Sequence, residues 1–213
     1  MIKKLSLNEK KKRARKIINK LKKLYPKTKS ALNYSNDFEL LAAVIMSAQC
    51  TDKMVNIVTD SLYKKYKSVE DFASANLNTF EKEIKSTGFY RNKAKNIINC
   101  ANIIINDHNS KVPDKMEDLL RLPGIARKSA NIIIYLTYGK TEGIAVDTHV
   151  KRLSKVLGLS NNTNPVKIEK DLIQILPKEE WMDFSFRLVD YGREFCKAKK
   201  HNHENCPLTK LIS

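Results

Sequence analysis

Residues 119–131 read LLRLPGIARKSAN, and they decide the fold of this 213-residue chain. A short apolar helix is predicted to run into Leu-Pro-Gly-Ile-Ala, and a second helix follows at once with an apolar face at Ala130, Ile133 and Ile134. The turn requires a glycine, Gly124, because its backbone is tight, and an apolar residue anchors it in the core. We therefore predict a helix-hairpin-helix motif, whose second helix directs unsatisfied backbone N–H groups outward as a phosphate site.

Two charged residues near this motif are candidates for chemistry. Lys128 falls in the first turn of the second helix, where the helix dipole disfavours a cation and so favours a nucleophilic amine. Asp147 follows the apolar run 144–146 and precedes an amphipathic helix, so it is expected to be that helix's N-cap. A carboxylate held rigidly there can also stabilise a cationic transition state. The structural alternatives are a lysine that only touches phosphate and an aspartate that only caps.

Helical periodicity extends outward from the motif in both directions, and no convincing period-two strand is found, so the predicted fold class is all-α. No linker or low-complexity tract divides the chain. The segment that best suits a domain boundary is 139–143. Ile17, Ile18, Leu21 and Leu24 recur at helical spacing inside a lysine-rich segment, which predicts an amphipathic helix that ends before Pro26. Further helices are predicted at 38–46, 52–66, 69–74, 77–86, 91–108, 116–121, 127–138, 148–157, 166–176 and 181–195.

The charge balance narrows the choice of partner. Forty Lys and Arg residues against 23 Asp and Glu give a formal net charge of +17, which favours a nucleic-acid partner over a lysine-rich surface that serves solubility alone. The longest apolar runs, 42–46 and 103–105, are too short to span a bilayer, and the N-terminus has no signal-peptide core. The four cysteines are too scattered for a disulfide scaffold. We expect a cytoplasmic protein without membrane association.

Four blocks in this order resemble the endonuclease III family of helix-hairpin-helix DNA glycosylases. They are LLAAVIMSAQCTD at 40–52, TGFYRNKA at 87–94, LPGIARKSAN at 122–131 and AVDTH at 145–149. The resemblance covers nearly the whole chain and implies two helical domains with a DNA-binding cleft between them. One is a central six-helix barrel at 30–140, with the helix-hairpin-helix at about 116–138. The other is formed by 1–29 and 141–213.

The resemblance also implies roles for individual residues. Lys128 is expected to be the nucleophile and Asp147 its catalytic partner. Gln49 is expected to fill the gap left by a flipped base, and Phe89 to wedge into the duplex, where the family usually has leucine or another aliphatic residue. Ala126 replaces the usual second glycine of the hairpin. The further residues expected to contact DNA are Gly124, Ala126, Arg127 and His149.

The implied function is a bifunctional DNA glycosylase and AP lyase of base excision repair. It would bind damaged double-stranded DNA as a monomer, flip out an oxidised pyrimidine and form a Schiff base through its lysine. β-Elimination would then cut the strand 3′ to the abasic site. Two alternatives stay open: a non-catalytic helix-hairpin-helix DNA-binding module, and a monofunctional mismatch glycosylase, against which Lys128 argues.

Family members commonly end in four cysteines, spaced C-x6-C-x2-C-x5-C, that hold a [4Fe–4S] cluster. In that register this chain offers Cys196, His203, Cys206 and Ile212. Because two of the four thiolates are missing, we predict that the cluster is absent and expect no cofactor. Zinc bound by Cys196, Cys206 and either His201 or His203 is the alternative, but a metal-free basic tail is the favoured interpretation.

Overall fold

The structure is a computed structural model that describes residues 5–199 and 201–211. Over these residues it is helical and contains no strand, which confirms the all-α prediction. None of the helices in this part of the chain combines the length and the apolar character needed to cross a membrane. The α-helices are α1 (Leu7–Leu24), α2 (Asp37–Met46), α3 (Asp52–Lys65), α4 (Val69–Ala73), α5 (Leu77–Glu83), α6 (Tyr90–His108), α7 (Met116–Leu119), α8 (Arg127–Tyr138), α9 (Thr148–Val156), α10 (Pro165–Ile173) and α11 (Trp181–Glu194).

The chain forms two compact units. The first, Ser30–Lys140, contains α2 to α8, of which α4 and α7 have only 5 and 4 residues. The second combines the described residues up to Lys29 with those from Thr141 onward, and so contains α1 and α9 to α11. Each unit has its own hydrophobic core. The chain therefore leaves the second unit after α1 and returns to it after α8.

In the Ser30–Lys140 unit, α2 is the central helix. Its sequence, DFELLAAVIM, is apolar on nearly all sides, and every residue after Asp37 is buried. It contacts α3, α6 and α8. The apolar faces of α6 and α8, which include Ile97, Ile104 and Ile133, belong to the same core. This packing fixes the C-terminus of α2 and the N-termini of α6 and α8, where the candidate site residues lie.

In the second unit, α11 contacts both α1 and α9. Its Arg187 is buried, and the guanidinium donates to Glu180 Oε2 and Asp183 Oδ2, each at 3.1 Å. Arg187 Nε also donates to the carbonyl of Tyr25, just beyond α1, at 3.1 Å. A buried guanidinium needs this full set of acceptors because desolvation of an unpaired charge is costly. The network holds the end of α1 against α11.

All the predicted helices are present. Their ends differ from prediction mainly where the last turn takes a tighter, 3-10 type conformation. The predicted 77–86 helix ends at Glu83 and is followed by a 3-10 segment, Lys85–Thr87. The predicted 166–176 helix ends at Ile173 and is followed by a tighter turn, in which Ile175 N–H donates to the Leu172 carbonyl three residues earlier. At the other end of the chain, α1 starts at Leu7, with a capping box between Ser6 and Glu9, and ends at Leu24, before Pro26 as predicted.

Candidate functional site

The hairpin between α7 and α8 is anchored as its sequence requires. Leu122 and Ile125 are buried in the core, and Ile125 N–H donates to the Leu122 carbonyl at 3.2 Å. Gly124 has a φ of +84°, which an L side chain rarely adopts. A Cβ at this position would also lie 2.6 Å from Asn96 Nδ2 on α6. The glycine therefore serves both the turn and the close approach of α6.

The N-terminus of α8 differs from most helix starts in the chain. Ala126 is its N-cap, and among the described residues no side chain caps this end. By contrast, side chains cap α1 to α5, α9 and α10. The first-turn N–H groups of α8 thus keep the capacity to bind an external anion. Lys128 lies in this turn and is exposed, and Arg127 beside it is half-buried.

Ala126 itself is unstrained. Its φ of −106° and ψ of 168° are extended values that any residue adopts. The glycine usual at this hairpin position is therefore not needed for backbone conformation here. The methyl group of Ala126 is exposed, so its effect is confined to the surface that a phosphate would approach.

Gln49 and Phe89 share an unusual backbone conformation. Both have left-handed φ values, 53° and 48°, although neither is a glycine. Both are exposed, and Phe89 is 65% exposed at the N-cap of α6. Holding non-glycine residues in this region costs about 1–3 kcal/mol each, and such strain is concentrated at functional sites. The two side chains are exposed to solvent and are not packed in the core.

A buried lysine, not among the residues predicted from the sequence, connects the loop that contains Gln49 with the loop that contains Phe89. Lys93 on α6 is only 4% exposed, and its Nζ donates to the Met46 carbonyl at 2.8 Å and to the Thr87 carbonyl at 2.7 Å. Met46 stands three residues before Gln49, and Thr87 two before Phe89. Burial lowers the pKa of Lys93. The signal was present in the sequence, because Lys93 lies one turn before Ile97 on the buried face of α6.

Asp147 and His149 belong to the second unit. Asp147 is the N-cap of α9, as predicted, and its Oδ1 accepts from the Val150 N–H at 2.8 Å. The His149 Nδ1 is buried and has no hydrogen-bond partner among the described residues. It faces Gly192 on α11, where an added Cβ would come within 2.5 Å of that nitrogen. The Nδ1 side of the His149 ring thus points into the second unit.

The C-terminal segment brings together four metal-binding side chains. One potential ligand atom from each lies within 4.8 Å of all the others, and the four residues are Cys196, His201, His203 and Cys206. The prediction that this tail binds no metal is therefore not confirmed. Ile212, the fourth position of the family's cysteine pattern, lies outside the described residues.

Similarity to known proteins extends over nearly the whole chain. Residues 42–178 match the HhH-GPD superfamily of base excision DNA repair proteins. The chain is 45% identical to endonuclease III of Synechocystis sp. over 202 residues, which are 95% of this chain and 92% of the relative. A non-covalent endonuclease III–DNA complex matches with a TM-score of 0.89 at 40% identity, over 95% of this chain and 94% of the other. A trapped endonuclease III–DNA covalent intermediate matches with the same TM-score and identity, over 94% of both chains.

Proposed function

The chain belongs to the endonuclease III family, bifunctional DNA glycosylases and AP lyases of base excision repair, and from this premise we propose how its own residues act and on which lesions. We propose that it removes oxidised pyrimidines from damaged double-stranded DNA, acting as a monomer. Lys128 is its nucleophile and Asp147 the partner of that nucleophile.

The observation that carries this assignment is the position of Lys128. It offers an exposed primary amine in the first turn of α8, beside backbone N–H groups that no described side chain caps. A phosphate bound to those groups would hold the DNA backbone next to the amine. A solved relative at 40% identity was trapped as a covalent intermediate with DNA, which supports a nucleophile in this fold.

The proposed reaction proceeds in two stages. The Lys128 amine attacks the sugar C1′, the C1′–N bond breaks, and the base leaves with the bonding electrons and takes up a proton. The carboxylate of Asp147 stabilises the positive charge that develops on the sugar. The nitrogen then loses one proton, its lone pair forms the C=N bond as the C1′–O4′ bond breaks, and O4′ takes up a proton, so that a protonated Schiff base remains. Loss of a C2′ proton then expels the 3′ phosphate by β-elimination, and the strand is cut.

The exposed strained residues support a role in opening the duplex. A flipped nucleotide leaves a gap in the stack, and a protein side chain that fills it offsets part of the lost stacking. Gln49 and Phe89 are held in left-handed conformations and exposed, and Lys93 ties their two loops to α6. We assign Gln49 to the gap and Phe89 to the wedge. Because the chain has a formal net charge of +17, its lysine and arginine side chains should neutralise phosphates and release counterions, so binding should weaken steeply with salt.

The Phe89→Ala variant tests the wedge. Because Phe89 is 65% exposed, the free energy of unfolding should change by less than about 0.5 kcal/mol. Base removal from duplex DNA should fall by about tenfold, since about 1.4 kcal/mol of stacking is lost, whereas removal from the same lesion in single-stranded DNA stays unchanged. The matched control is Ile57→Ala, an apolar side chain on α3 that is 58% exposed. Equal losses on duplex and single strand would contradict the wedge.

The Lys93→Met variant tests the link between the two loops. Two buried carbonyls lose their donor, so the free energy of unfolding should fall by about 1–3 kcal/mol in urea titrations. As a positioning residue, Lys93 should also affect duplex DNA more than single-stranded DNA, because it holds the loops of Gln49 and Phe89. Lys95→Met, at an exposed position of the same helix, should change neither quantity. A loss of stability with an unchanged ratio of duplex to single-strand activity would limit Lys93 to a structural role.

The proposed activity itself is tested on a panel of duplexes that each carry one lesion. Wild-type protein should cut strands at a ring-saturated pyrimidine and at an abasic site, and leave undamaged DNA intact. Binding without cutting would favour a non-catalytic binding module. Base release without strand cleavage would favour a monofunctional glycosylase. Preferred cutting at an oxidised purine would refute the proposed substrate class.

A further inference from the structure

The four clustered side chains near the C-terminus have the geometry of a single-ion site. Cys196 Sγ lies 3.7 Å from His203 Nδ1, and Cys206 Sγ lies 3.3 Å from His201 Nε2. Zinc bonds of about 2.0–2.3 Å in a tetrahedron place neighbouring ligand atoms about 3.3–3.8 Å apart. Both sulfur–nitrogen distances thus match edges of such a tetrahedron. The remaining pairs of ligand atoms lie within 4.8 Å, close enough for small side-chain movements to complete it.

We propose that this segment binds one zinc ion in a closed structural site, with the ligands Cys196, His201, His203 and Cys206. A Cys2His2 set is one of the standard structural zinc sites. The site replaces the family's cluster within the same C-terminal segment, and its role is to hold that segment folded.

A neighbouring hydrogen bond prepares one histidine for metal binding. His201 Nδ1 lies 2.8 Å from the Lys199 carbonyl, which can only accept. The Nδ1 of His201 therefore carries the proton, and its Nε2, the atom that faces Cys206, keeps a free lone pair. This is the tautomer that coordination through Nε2 requires. A second hydrogen-bond partner of this kind accompanies most metal-binding histidines.

A positively charged side chain also lies next to one of the cysteine ligands. Arg152 on α9 donates to the Cys196 carbonyl at 2.6 Å, and its second terminal nitrogen lies 3.5 Å from Cys196 Sγ. Cys196 and Cys206 are both buried, so thiolates there need positive charge close by. Zinc and the guanidinium provide it. The same contacts connect the proposed site to α9, the helix that Asp147 caps.

Apart from the proposed metal ion, few core contacts stabilise the segment between Cys196 and Cys206. Every described residue from 197 to 205 is exposed or half-buried, and none contributes an apolar side chain to the core. Folding an irregular loop of this length costs conformational entropy that buried surface does not offset here. A metal ion provides the missing stabilisation, as it does in small zinc domains.

The donors do not fit the iron–sulfur cluster that the family implies. A [4Fe–4S] cluster needs four thiolates, and only two cysteines are in this segment. The other two belong to the Ser30–Lys140 unit, where Cys100 is fully buried in the core. A Rieske-type [2Fe–2S] centre places both histidines on one iron and both thiolates on the other. Here one potential ligand atom from each of the four residues lies within 4.8 Å of all the others, as expected for ligands of one ion.

The test measures metal content in protein produced without a histidine tag. Elemental analysis should find about one zinc and almost no iron per chain. Cys206→Ser and His203→Ala should each lower the zinc content several-fold. His203 is exposed, so its variant should still fold. The matched controls, Cys50→Ser and His108→Ala, alter residues of the other unit and should retain zinc.

Two further measurements keep the proposal independent of enzyme activity. A strong chelator should remove the metal and lower the thermal unfolding temperature of wild type, and added Zn²⁺ should restore it. Co²⁺ in place of zinc should give the visible absorption of tetrahedral thiolate coordination, and His203→Ala should change that spectrum. Iron with acid-labile sulfide, a Cys196–Cys206 disulfide, or protein that stays metal-free in excess Zn²⁺ would each overturn the proposal.

Discussion

The Lys128→Ala variant is expected to lose strand cleavage by roughly 10³-fold or more, and to give no covalent adduct with DNA on borohydride reduction. The amine is the only group in the proposed mechanism that bonds to the sugar, so no neighbouring residue replaces it. Lys128 is exposed, and its removal should leave the thermal unfolding temperature nearly unchanged. The measurements are single-turnover cleavage of a lesion duplex and gel detection of the borohydride-trapped adduct.

Lys115→Ala is the matched control for this experiment. Lys115 is another exposed lysine, immediately before α7, the first helix of the motif, and it lies outside the proposed machinery. Its variant should trap and cleave as the wild type does. Running both preparations side by side also excludes a contaminating nuclease. An adduct that persists in Lys128→Ala would move the nucleophile to another amine and leave Lys128 as a phosphate contact.

Asp147→Asn should bind lesion DNA with nearly normal affinity and turn it over about 10²–10⁴-fold more slowly. Asparagine caps a helix as well as aspartate, so the hydrogen bond to the Val150 N–H survives and α9 keeps its start. Only the negative charge is lost. This substitution therefore separates the two roles that the sequence left open, and the readouts are equilibrium binding and single-turnover base release.

The contribution that a helix cap makes to stability is measured separately, on variants that lose a cap. Asn164→Ala removes a side-chain cap from α10 in the same unit and should cost about 1 kcal/mol of stability without slowing base release. Asp147→Ala should combine a similar loss of stability with the slow turnover. Full activity of Asp147→Asn would reduce Asp147 to a helix cap and require another group to stabilise the sugar cation.

Features that depend on neighbours in the sequence were predictable. The helices follow from apolar spacing, the hairpin from Leu-Pro-Gly-Ile-Ala, and the Asp147 cap from its place before an amphipathic helix. Each depends on interactions within a few residues, so the local sequence contains the whole physical cause. The predicted ends were less accurate, as at 77–86, because the tightening of a last turn depends on what packs against it.

The resemblance to known glycosylases supplied candidate roles but left their surroundings undefined. Residue spacing could not show that Phe89 is exposed in a left-handed conformation, or that Ala126 fits without strain. Both facts depend on how the core holds α6 and α8. His149 is a further example, since the space for its buried nitrogen is left by Gly192 on a different helix.

By itself, the sequence determined an all-helical chain with a hairpin, a lysine at the start of one helix and an aspartate capping another. Only the tertiary structure decided that Lys93 connects the loops of Gln49 and Phe89, and that Arg152 on α9 contacts Cys196. The physical reason is distance along the chain. Lys93 and Met46 are 47 positions apart, and Arg152 and Cys196 are 44 apart, so their contacts arise only when the cores bring separate helices together.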